Sequence, residues 1–126
     1  MPNGFDGTRE DWDRLEAQFL EWDATLDDFA REHGLTLSRN DHGWPARSLE
    51  AVDASLRRKV ELVASDQPRG TFDVWAYAWK DVGGRRLSKV SAIRRHLPAA
   101  EMAGHLPEIL HEAWETSRGW SDRDLN

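Results

Sequence analysis

No cysteine occurs in the 126 residues, which excludes disulfides, thiol nucleophiles and cysteine-ligated zinc. Long apolar runs are missing as well. The start, Met1 to Gly7, has neither a basic opening nor an apolar stretch of signal-peptide length, and no segment is long and apolar enough to span a bilayer as a helix. A soluble, cytoplasmic protein is the expectation.

The motifs of catalysis are equally scarce. His105 and His111 are six residues apart, so they do not share a helix face, and no His-Glu-x-x-His pair exists. No serine stands in a Gly-x-Ser-x-Gly elbow, and Gly83-Gly84 lacks the lysine and helix start of a phosphate loop. Asp23, Asp27 and Asp28 are close enough on one helix for like charge to raise a pKa. In so acidic a helix, however, a solvated face is the plainer reading. No catalytic residue, metal or cofactor is assigned, and His33 is explained as a favourable charge at a helix C-terminus.

What the chain does have is aromatic weight: seven Trp and four Phe, within 39% hydrophobic and 32% charged residues. That suffices for one core and one domain spanning residues 1–126. The stretch from Thr8 to Gly34 organises it. Trp12, Leu15, Phe19, Trp22, Leu26 and Phe29 recur at spacings of three and four, so they share one face of an α-helix. Thr8 is placed to cap it, Glu10 and Asp11 suit the positive end of its dipole, and Gly34 suits a left-handed close. A helix of about 25 residues is about 37 Å long at 1.5 Å per residue, more than the width of a five-stranded sheet. A homodimer through this helix is the competing arrangement, but Trp and Phe fit poorly into coiled-coil layers.

Strands follow. Leu35–Arg39 alternates, Asn40–Gly43 is turn chemistry, and Trp44 before Pro45 is held extended. Arg47–Val52 reads as a strand turning through Val52–Ser55 into Leu56–Ala64, where Arg58 interrupts the inward set of Leu56, Val60, Leu62 and Ala64. A bulge or an edge position would accommodate it, or it is a buried cation that needs an acidic partner. After a loop at Asp66–Gly70, Thr71–Lys80 carries Phe72, Val74, Ala76 and Ala78 on one face and Asp73, Trp75, Tyr77 and Trp79 on the other. Asp81–Gly84 is a hairpin signal into a last strand, Arg85–Val90. From Ser91 the pattern reads as broken helix, with Pro107 opening the final helix, Leu106, Ile109, Leu110, Ala113 and Trp114 as its stripe, and Ser121–Asn126 a frayed tail. The expected fold is α+β: a long N-terminal helix packed on an antiparallel four- to five-stranded meander sheet, followed by C-terminal helices.

Charge is unevenly distributed. The total of −6 comprises −7 over residues 1–34, +5 over 35–95 and −4 over 96–126. Acidic helices flanking a basic sheet can neutralise each other within the fold, or they can serve different partners. Asp13, Glu16, Asp23, Asp27 and Asp28 are the candidate contacts for a basic protein partner, which makes a non-enzymatic protein-binding module the leading expectation. Trp75, Tyr77 and Trp79 beside Arg57, Lys59, Arg85 and Arg86 are the alternative, a stacking face for an anion or single-stranded nucleic acid. Packing of the triplet under the C-terminal helix would remove that face, and net negative charge opposes a polyanion. An enzyme of unrecognised type stands third.

Overall fold

The computed structural model describes residues 7–39, 45–53, 56–66 and 70–125. The turn expected at Asn40–Gly43, Trp44, the tip of the Val52–Ser55 turn and most of the Asp66–Gly70 loop lie outside the described residues.

Helix α1 runs Arg9–His33. The Thr8 hydroxyl accepts from the Asp11 N–H at 3.0 Å, while the Asp11 carboxylate accepts from the Thr8 N–H at 3.0 Å, so two orphan donors of the first turn are satisfied reciprocally. Gly34 closes the helix at φ 69°, its N–H and that of Leu35 both reaching the Ala30 carbonyl. Leu15, Phe19, Trp22, Leu26 and Phe29 are buried, which places the stripe on the protein's own sheet.

Five antiparallel strands follow in meander order: β1 Thr36–Arg39, β2 Ala46–Asp53, β3 Leu56–Asp66, β4 Thr71–Val82 and β5 Arg85–Pro98. Gly83 and Gly84 turn β4 into β5 with φ of 56° and 79°, the two positive values a tight hairpin needs.

Strand β5 corrects the sequence reading, which ended it at Val90 and began a helix at Ser91. Pairing runs evenly from Val82 with Arg85 to Trp75 with Ala92, then slips so that Val74 meets Arg94 and Phe72 meets Leu97. Each slip inserts a residue into β5. His96 takes up φ 55° at the second, where its N–H donates to the Asp73 carboxylate at 2.8 Å. Ile93 and Leu97, both on the core, stand four apart in sequence, a spacing that fits a helical turn as well as a strand.

Helix α2 spans Ala99–Gly119 and bends where expected, with non-helical angles at His105 just before Pro107. The tail is ordered through Leu125, the last described residue, and not frayed as expected. Asp122–Leu125 forms a short 3-10 helix, Leu125 is buried against Leu56 and Ala78, and Lys80 Nζ meets Asp122 Oδ1 at 2.9 Å. Ser121 and Asp124 clasp each other, the Ser121 N–H donating to Oδ2 at 2.6 Å, a short cap hidden in a stretch of charge.

Both helices cover the same face of the sheet. Leu15, Phe19, Trp22 and Leu26 of α1 share one cluster with Met102, Leu106, Ile109, Leu110 and Trp114 of α2, closed by Leu49, Val60, Leu62, Phe72 and Val74. Arg58 stays in even register between Ala51 and Ala78. It is neither bulged nor at an edge: it lies 6% exposed in the layer under α2 and donates to the Ser117 carbonyl, while the Ser117 hydroxyl donates to the Tyr77 carbonyl at 2.6 Å.

Candidate binding surfaces

Two of the five acidic residues proposed as partner contacts turn inward. Asp23 is 8% exposed, and Arg47 on β2 is fully buried beside it. Arg47 Nε lies 2.8 Å from Asp23 Oδ1 and Nη2 lies 3.1 Å from Oδ2, Nη2 also reaches Glu16 Oε1 at 2.5 Å, and Nη1 donates to the Ala46 carbonyl at 2.9 Å. Arg39 Nε adds a contact to Asp23 Oδ2 at 3.3 Å. A bidentate guanidinium–carboxylate pair with its remaining donors occupied is the form in which a buried cation is tolerated. Asp23 is therefore withdrawn as a partner contact, and Glu16, half-buried on Arg47, is mostly withdrawn with it.

Burial by itself would raise the Asp23 pKa, but hydrogen bonds and charge from Arg47 and then Arg39 outweigh it and hold the carboxyl below its ordinary value. A depressed folded-state pKa means that stability is fully present above the unfolded value, about 3.9, and is lost as pH falls through the folded one. Stability is therefore expected to drop below about pH 4 by a larger amount in the wild type than in Asp23→Asn. Urea melts at falling pH read this; parallel curves for the two proteins would contradict it.

Asp13, Asp27 and Asp28 remain outside. Asp13 lies 3.3 Å from Arg9, Asp27 lies 3.9 Å from Arg39, and Asp28 pairs with Arg31, all with exposed carboxylates. Glu101, Glu108, Glu112 and Glu115 are exposed on α2. Leu20, between Ala17 and Ala24 on the outward side of α1, is 61% exposed. The sequence reading missed it, although its neighbours three and four residues away marked the place.

The aromatic triplet is not under α2. Alternation along β4 sets Trp75, Tyr77 and Trp79 opposite the buried Val74, Ala76 and Ala78, and both helices occupy the latter side. The triplet instead stands on the face that no described helix covers. Its rings are clothed by cations: Lys59 Nζ lies 4.6 Å from the Tyr77 centroid and 5.6 Å from that of Trp79, the Arg86 guanidinium is 5.4 Å from Trp79, and that of Arg95 is 5.8 Å from Trp75. Trp79 is consequently only 8% exposed, and its indole N–H has no hydrogen-bond partner among the described residues.

Three cations of this face are matched by acids. Lys59 lies 3.4 Å from Glu61, Arg86 lies 3.3 Å from Asp81 and Arg57 lies 3.9 Å from Glu50. The Tyr77 hydroxyl donates to Glu61 at 3.3 Å, and its pKa is pushed up to about 12 by burial and then by the Glu61 charge, so it remains a donor at all ordinary pH. Arg85 sits exposed at the hairpin, paired with Val82, away from these ring contacts. A face whose rings are covered and whose cations have carboxylate neighbours is poorly made for stacking bases along a phosphate chain.

Among the described residues no three of His, Asp and Glu gather as metal ligands, and no helix is long and apolar enough to cross a membrane. No family model, curated protein or solved structure matches the chain.

Proposed function

We propose that this protein is a non-enzymatic protein-binding module, acting in the cytoplasm, that presents an acidic two-helix surface to a basic protein partner. The observation that carries the reading is the placement of both helices on one side of the sheet. Ten exposed carboxylates of α1 and α2 then share that side with the four exposed arginines of the same helices and with Arg39 and Arg94, which pair with Asp27 and Glu112, a net acidic excess that can steer a cationic partner. Leu20, flanked by Ala17 and Ala24, offers an apolar centre with Asp13, Asp27 and Asp28 around it, the arrangement of a small hydrophobic anchor within a charged rim. The inward turn of Asp23 and Glu16 confines the reading to the outer carboxylates.

The test is capture from source lysate with the wild type and with Asp13→Lys/Asp27→Lys/Asp28→Lys. A basic protein retained by the former, with an association rate about tenfold or more lower for the latter and falling with added salt, supports the reading. Retention of the same partner by both proteins at equal rate overturns it.

A further inference from the structure

We infer that strand β5 is a docking edge for an extended acidic segment of another protein, which joins the sheet as a sixth strand. This site is separate from the helical surface, and it rests on three features of one strand.

The first is that β5 is a sheet edge. It pairs with β4 on one side and is the last strand in the order β1-β2-β3-β4-β5, so the backbone groups on its other side have no strand partner among the described residues. The opposite edge, β1, is only 4 residues long and offers little ladder. The second is regularity. From Arg85 to Ala92 the pairing with β4 has no slip, which leaves an eight-residue stretch of regular pleat before the bulges begin. All of it except Leu87 and Ser91 is exposed, and Val90, at 49%, stands in its middle. An extended peptide needs this to add main-chain hydrogen bonds and to seat alternate side chains.

The third feature chooses the occupant. Strand β5 contains Arg85, Arg86, Lys89, Arg94 and Arg95 and not one Asp or Glu, in a chain whose total charge is −6. A second copy brings the same five cations to the same edge, and like charges opposite each other across strands are destabilising. Within the regular stretch an acidic strand meets Arg85 and Lys89 on one face and Arg86, which also pairs with Asp81, on the other, while Arg94 beyond it is held by Glu112. A single-stranded nucleic acid is the other polyanion, but the rings beside this strand are covered by Lys59, Arg86 and Arg95, so they are not open to bases.

The probe is a capped Glu-Val repeat of about eight residues, a usual strand length. Its controls are a Lys-Val repeat, a Glu-Val repeat interrupted by prolines that keeps the charge but cannot form a ladder, and an oligothymidylate. Fluorescence anisotropy measures binding and amide exchange reads residues 85–92 of the full chain. The expected result is that the Glu-Val repeat alone binds and slows exchange at alternate amides of β5, and that Arg86→Glu/Lys89→Glu weakens it about tenfold or more with an unchanged melting curve. Equal binding of the proline-interrupted or the Lys-Val peptide overturns the proposal, as does tighter binding of the oligothymidylate or protection of the same amides by self-association without peptide. The peptide controls decide the matter even if the double variant fails to fold.

Discussion

Truncation of Arg47 to alanine is expected to cost about 3–5 kcal/mol of folding free energy, lowering the melting temperature by more than about 10 °C. The side chain is fully buried, and its guanidinium is held by Asp23, Glu16 and the Ala46 carbonyl while lying 4.9 Å from the Phe19 ring centroid. Removing it strips the Asp23 carboxylate, 8% exposed, of its bidentate partner and leaves Arg39, at 3.3 Å, as its remaining donor among the described residues. The loss is thus mostly the penalty of a stranded charge and not the worth of the ion pair. The distinction is measurable. Arg47→Met/Asp23→Leu removes both charges and fills the space, so it should be markedly less destabilised than Arg47→Ala. Denaturant melts of the single and double variants decide it; an Arg47→Ala protein within about 1 kcal/mol of wild type, the ordinary scale of a point mutation, would show that the network does not support the fold.

That network also explains which parts of the molecule could be read from sequence. Helix α1 and strand β4 were readable because each has one strong period and neither is interrupted. The stripe from Trp12 to Phe29 and the alternation from Phe72 to Trp79 report local geometry directly. Arg47 could not be found in this way. Nothing within β2 distinguishes an arginine facing α1 from one facing water, since the distinction depends on Asp23 being brought across 24 positions of sequence. For the same reason the five candidate acidic residues on α1 looked alike, although two serve the interior. In β5 the failure was of a different kind: the bulges at Ile93 and around His96 replaced a period of two with an irregular spacing, and no local cue marks an inserted residue. Whether the aromatic face lay under a helix could not be read at all, because Val74 and Trp75 are both compatible with a covered face. Only the packing of α2 decided between them.

Phe19→Ala is expected to rank with Arg47→Ala, at about 3–5 kcal/mol. Phe19 is fully buried where α1, β2 and β4 converge. Its ring meets Trp22 at 5.7 Å and 87° and Phe72 at 5.3 Å and 82°, edge-to-face contacts that add to the area it buries, while Trp22 and Phe72 also touch each other at 4.9 Å. Three rings in mutual contact cannot collapse into the space that one vacates without abandoning their own geometry, so the cavity persists and the cost falls at the upper end of its range. Phe19→Leu keeps much of the volume and should cost about 1–1.5 kcal/mol. Because the same ring underlies the Arg47 guanidinium, the two sites are coupled. A double-mutant cycle across Phe19→Leu and Arg47→Met should give a coupling energy of about 1 kcal/mol. Strict additivity would mean that the ring and the cation are neighbours without interacting, and that the apolar core and the buried ion pair of this fold are independent supports.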